Sequence, residues 1–138
     1  MMIWSFCILI LRPYILYSSL NISDNKFGVD GTEIIFNALN GNTSLTTLIY
    51  EGNKVGIEGC VFIAKNINNT NIEVLCLQRN GIEEGIEHIA LAVKDNKTLT
   101  TLNLSINRIS NGEPIAKILE SNMTLLKLDL TDNQLKSS

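Results

Sequence analysis

An α/β repeat protein, stacked from short strand, turn and helix units, is the fold class this sequence predicts, and three observations predict it. A signature of the form Leu-x-apolar-x-x-Asn-x-apolar occurs five times: LNISDNKF from Leu20, LIYEGNKV from Leu48, LCLQRNGI from Leu75, LNLSINRI from Leu102 and LDLTDNQL from Leu128. The copies are spaced 28, 27, 27 and 26 residues apart. Within each period the apolar rhythm changes from two residues to three or four, the mark of a strand giving way to a helix.

The strand comes first. Leu48 and Tyr50 alternate with Ile49 and Glu51, and Leu75 and Leu77 alternate with Cys76 and Gln78, so each copy has one buried face. After Gly31, Gly59 and Gly85 the rhythm lengthens: Ile34, Ala38 and Leu39, or Ile86, Ile89, Ala90 and Val93, make one stripe of a helix of two to three turns. Pro114 falls near the start of the fourth helix, where the first turn tolerates it. A unit of about 27 residues cannot cover its own apolar face, so neighbouring copies must do so.

The closing Asn of each signature, Asn25, Asn53, Asn80, Asn107 and Asn133, sits where the chain leaves the strand. Backbone groups lose their sheet partners there, and a buried unpaired group costs roughly 1–3 kcal/mol. Asn carries a donor and an acceptor on a short side chain. In register, these five are expected to form a ladder across the turns. The apolar residue two places on, Phe27, Val55, Ile82, Ile109 or Leu135, is expected to point into the core.

Composition narrows the function classes. The 138 residues carry 11 Lys+Arg against 14 Asp+Glu, net charge −3, and offer no basic stripe for phosphates. Nucleic acid is therefore not an expected partner. One His and three scattered Cys leave little for a His-based triad, a zinc site or a disulfide framework, so no catalysis, metal or cofactor is expected.

These repeats resemble those of leucine-rich repeat proteins of the ribonuclease-inhibitor-like subtype, whose units read LxLxxNxIgxxGaxxIAxaLxxNtsLttL. The second and third copies match along most of their length, and TSLTTL from Thr43 and KTLTTL from Lys97 match its closing segment. The resemblance covers roughly residues 17 to 135. It implies a short solenoid, a right-handed β-α superhelix with parallel strands concave and helices convex. The third and fourth copies depart by one residue fewer after the Asn, and the second by one fewer before its next strand.

Residues 17–138 thus read as a repeat domain of four units plus a truncated fifth, ending in LDLTDNQL and KSS. Its last strand lacks a covering helix, so self-association through this uncapped repeat is expected unless the chain is a fragment of a longer array. Residues 1–16 form an apolar leader, MMIWSFCILILRPYIL. A cap or degenerate repeat fits it best. A secretory signal wants a basic residue ahead of the apolar run, and Arg12-Pro13 interrupts the best membrane window. A misplaced gene start also remains open. With Cys7, Cys60 and Cys76 unsuited to pairing, the expected compartment is the cytoplasm; secretion or membrane anchoring through residues 1–20 is the alternative.

Six Asn-x-Ser/Thr sequons, at Asn21, Asn42, Asn68, Asn96, Asn103 and Asn122, follow the repeat rather than signal glycosylation. Four of them recur between helix and next strand, with Asn96 expected at the surface. His88 stands without a second ligand. Gly81, Gly85 and Gly112 read as turn residues leading into helices.

What remains is the strand face. Its outward side chains include Ile49, Glu51, Cys76, Gln78, Arg79, Asn103, Ser105, Asp129 and Thr131, a mixed polar strip with Ile49 and Cys76 at its middle. The expected function is a non-catalytic protein-interaction module using this strip, its partner a protein of unknown identity. The family resemblance also offers an alternative, a GTPase activator like the Ran-activating proteins, with Arg79 as the residue to test.

Overall fold

The computed structural model describes residues 17–136; the expectations about residues 1–16 lie outside the described residues. Five short strands, β1 Ser19–Asn21, β2 Thr47–Ile49, β3 Val74–Cys76, β4 Thr101–Asn103 and β5 Lys127–Asp129, form one parallel sheet in chain order. Between them lie α1 Gly28–Leu39, α2 Gly56–Asn66, α3 Ile86–Val93 and α4 Glu113–Ser121. The register sets Leu20, Leu48, Leu75, Leu102 and Leu128 side by side.

One contiguous core runs between sheet and helices. Leu48, Leu75 and Leu102 enter it from the strands and are fully buried, as are Ile35, Phe36 and Leu39 of α1, Cys60 of α2 and Ile86 of α3. Tyr50 packs flat against Phe27 at 5.8 Å and edge-on against Phe36 at 5.4 Å, joining the first two repeats. Its hydroxyl lies 3.2 Å from Thr32 Oγ1, which gives the buried oxygen a partner.

The ladder Asn residues recur in one geometry. The N–H groups of Asn25, Asn53, Asn80 and Asn107 each donate to the side-chain oxygen of the next Asn, at 2.9, 2.8, 2.8 and 3.0 Å. The side-chain amides of Asn53, Asn80, Asn107 and Asn133 donate back one repeat, to the carbonyls of Ile22, Tyr50, Leu77 and Leu104. Asn53 and Asn107 are fully buried.

Several local expectations are corrected. The first two helices begin four residues earlier than their apolar rhythm suggests, because left-handed Gly28 and Gly56 turn the chain straight into them. In the third repeat, one residue shorter, Glu83 takes that backbone conformation at φ 49° and a 3-10 turn over Glu83–Gly85 precedes α3. Gly85 is no left-handed turn residue but a contact point: a β-carbon there would meet Cys60 Sγ at 2.6 Å. Leu135 is 40% exposed, where Phe27, Val55, Ile82 and Ile109 are buried, since no further repeat among the described residues covers it.

Asn96 is also inside, at 3% exposure. Its side-chain oxygen accepts the N–H groups of Thr98 and Leu99 at 2.9 and 2.6 Å, and Asn42 and Asn122 do the same for Ser44 and Leu45 and for Thr124 and Leu125. This second Asn series closes the return loop of each repeat. Asn68 is not its member in the second repeat. A 3-10 turn over Ile67–Asn69 takes up the missing residue there, and Thr70 Oγ1 accepts from Ile72 instead.

Candidate protein-binding surface

The parallel register brings equivalent side chains of successive repeats into rows. One row runs Asn21, Ile49, Cys76, Asn103, Asp129, and a second, on the same face, runs Ser19, Thr47, Val74, Thr101, Lys127. With strands about 4.8 Å apart, neighbours in a row touch. Ile49 stands beside Cys76 and Thr47 beside Val74, all half-buried. Val74 was not among the outward residues read from the sequence; its parity with Cys76 was the available signal.

The rows differ in how far their polar groups are already used. Asn103 Oδ1 accepts the N–H of Ser105 at 2.9 Å and its hydroxyl at 2.6 Å, and Asp129 Oδ1 accepts both groups of Thr131. Those bonds, hydroxyl before amide, hold the Asp129 carboxyl below the usual carboxylate range. Ser105 belongs to the turn and not to an open strip, for it is only 5% exposed. In the second and third repeats Ile49 and Cys76 replace these turn-binding residues. The middle of the face is thereby left apolar.

Charge borders this centre on one side. Arg79 donates to Glu51 Oε1 at 2.9 Å through Nη2 and 3.2 Å through Nε, and to Asp24 at 3.3 Å, so its guanidinium spans three repeats. Gln78 lies half-buried next to it, and Thr131 is exposed at the far end. Burial first, and then the Glu51 carboxylate, push the Cys76 thiol above its ordinary range, against a smaller opposing effect of Lys127. Among the described residues, no three His, Cys, Asp or Glu side chains come close enough to hold a metal ion. No described helix is long and apolar enough to cross a membrane.

Residues 95–112 and 121–138 match the family model described as Leucine Rich repeat. The chain carries leucine-rich repeats. Its repeats, each pairing one strand with one helix, are of the ribonuclease-inhibitor-like kind. The repeat protein is 28% identical over 123 residues to NACHT, LRR and PYD domains-containing protein 13 of Homo sapiens, a match covering 84% of this chain and 12% of that protein. It is 31% identical over 93 residues to FERM domain-containing protein C of Dictyostelium discoideum, covering 65% of this chain and 6% of that protein. The repeat protein thus spans a small part of either relative.

Among solved structures it is similar to the leiomodin-1 actin-binding site 2, with a TM-score of 0.82 at 26% identity, covering 93% of this chain and 79% of that one. The tropomodulin C-terminal domain of Caenorhabditis elegans superposes with a TM-score of 0.80 at 14% identity, covering 93% and 82%, a likeness of fold.

Proposed function

We propose that this leucine-rich repeat protein is a non-catalytic protein-binding module, and that its concave strand face receives an extended segment of a protein partner. One observation carries the reading: the pairing of Ile49 with Cys76, next to Val74, puts an apolar centre on a face whose other rows are polar. Desolvated apolar centres with charged borders are the usual anatomy of protein interfaces. Glu51, Gln78 and Arg79 form the border on one side, and Asn103, Asp129 and Thr131 continue the strip. The fold-level likeness to binding domains supports the class of function and leaves the chemistry of the partner to the face itself.

Because the leiomodin-1 structure is named for an actin-binding site, actin is the first partner to test. Calorimetry against monomeric actin and co-sedimentation with filaments would be run beside selection from a random-peptide library. Ligands that lose affinity at least tenfold with Ile49→Asp, yet bind the Leu91→Asp variant of α3 normally, support the concave site. Ligands indifferent to Ile49→Asp, or a selection that yields none, overturn it.

A further inference from the structure

Three Asn residues of the chain are followed by glycine: Asn40, Asn80 and Asn111. An Asn-Gly step is able to react with itself, because no side chain on the glycine hinders the approach of its nitrogen to the Asn side-chain carbonyl. The reaction needs a glycine N–H free to lose its proton and an Asn side chain free to turn. The fold blocks the step at two of the three. Asn80 is 2% exposed, its amide nitrogen donates to the carbonyls of Tyr50 and Gln78, and its oxygen accepts the Asn53 N–H. Asn40 is exposed, but its oxygen accepts from Asn69 and its amide nitrogen donates to Asn66. The Gly41 N–H is also occupied, donating to the Asn69 carbonyl at 2.8 Å.

Asn111 is open. It is exposed at the turn into α4, on the rim of a cavity of about 300 Å³ between α3 and α4 that Leu91, Pro114 and Lys117 also line. Neither its amide nitrogen nor the Gly112 N–H has a hydrogen-bond partner among the described residues. Its oxygen accepts the Glu113 N–H at 3.0 Å, a bond that stabilises charge on that oxygen when the side-chain carbon is attacked. The turn lies within the stack. Glu84, its equivalent in the third repeat, is exposed in the same way, and the Gln134 N–H of the fifth repeat donates to Ile109, two residues before Asn111.

We propose that Asn111 deamidates in the folded protein, which makes the turn into α4 a site of slow, spontaneous modification. The Gly112 N–H gives its proton to water or hydroxide, and the nitrogen forms a bond to Asn111 Cγ. The Cγ–Nδ2 bond breaks, and the leaving nitrogen takes a proton from solvent and departs as ammonia. One water then opens the five-membered imide. Opening at Cγ leaves aspartate; opening at the main-chain carbonyl leaves isoaspartate, whose backbone runs through the side chain and is one methylene longer. Either product adds one negative charge to the net −3 of the chain. Ahead of α4, aspartate keeps the Glu113 N–H as a charge-assisted bond, whereas the extra methylene of isoaspartate displaces the start of the helix. The site is independent of the concave face.

Incubation of the full chain in mildly alkaline buffer, then digestion at acidic pH and peptide mass mapping, tests it. Asn111 should gain the mass of an amide exchanged for a carboxylic acid at least tenfold faster than Asn40 or Asn80. In urea, where the locking hydrogen bonds are gone, the three rates should draw together. An isoaspartate carboxyl methyltransferase supplied with labelled S-adenosylmethionine should methylate the aged protein at position 111. Gly112→Ala should slow Asn111 at least tenfold with an unchanged far-ultraviolet spectrum, since φ there is −82° and a β-carbon would meet only Leu135 Cδ2, at 3.9 Å. Equal rates at the three sites of the folded protein, an Asn111 that stays unmodified, or a Gly112→Ala variant that reacts as fast as the unaltered chain would each overturn it.

Discussion

The side-chain amide of Asn80 donates to the carbonyl of Tyr50 at 2.8 Å, across thirty residues of chain, while its oxygen accepts the Asn53 N–H at 2.8 Å. One side chain thus satisfies main-chain groups at two points of the neighbouring repeat. Asn80→Ala should destabilise the protein by roughly 1–3 kcal/mol, the cost of stranding buried polar groups. Asn96→Ala should fall in the same range, because its oxygen serves two N–H groups from a buried site. Asn71→Ala, exposed and with a single bond to Thr43, should stay within about 0.5 kcal/mol. Urea melts of the three variants check the order, and equal midpoints would refute it.

Gly85 records how closely the second and third repeats approach. A β-carbon there would lie 2.6 Å from Cys60 Sγ and 3.1 Å from Ile57 Cα. Gly85→Ala should therefore cost about 1–3 kcal/mol through overpacking. Cys60→Ala in the same chain should recover part of that loss by removing the sulfur. A double-mutant cycle measures the coupling, and strictly additive effects would mean the two sites do not touch.

Glu83 occupies a left-handed conformation that Gly28 and Gly56 hold in the first two repeats. A side chain in that region costs roughly 1–2 kcal/mol, and glycine returns part of the gain as unfolded-state entropy. Glu83→Gly should accordingly stabilise by up to about 1 kcal/mol. The exposed contact of Glu83 with Arg108, at 3.6 Å, is of a class worth too little to reverse the sign. A lowered melting temperature would show that the turn tolerates Glu83 without strain.

The two described thiols should respond to pH differently. Burial, and then Glu58, push Cys60 up to about 12, while Cys76 is raised by burial and then by Glu51. Alkylation needs the thiolate, so raising a thiol pKa slows labelling most at neutral pH and least near pH 10. At pH 8 iodoacetamide should leave Cys60 of the folded protein unmodified and label Cys76 more slowly than in urea. Glu51→Gln should quicken Cys76 by removing a carboxylate that disfavours its thiolate. Peptide mass mapping separates the sites, and a Cys60 that reacts as fast as Cys76 would contradict the burial argument.

Much was legible in the chain because a repeat states the same constraint several times. A lone Leu-x-Leu pattern is ambiguous, but five copies at nearly one spacing fix which residues stack, and hence the order, direction and inward face of the strands. The turn Asn residues stood out for the same reason. Ser105 did not, since nothing local distinguishes it from an open strand residue; its hydroxyl is drawn to Asn103 Oδ1 once the chain turns. Asn96 was misplaced because a sequon in a polar loop looks solvated until the loop folds over its own side chain.

The sequence by itself determined the architecture of this protein: period sets the unit, alternation sets the buried face, and an unburiable face forces the stack. Only the tertiary structure decided which polar residues the fold consumes and which it leaves free. Asn103, Ser105, Asp129 and Thr131 share a strip with Ile49 and Cys76 in any alignment, yet the first four close their own turns while the last two lie half-buried beside each other. The reason is physical. Periodicity is a property of spacing along the chain, whereas hydrogen-bond satisfaction depends on which groups meet within about 3 Å once it is folded.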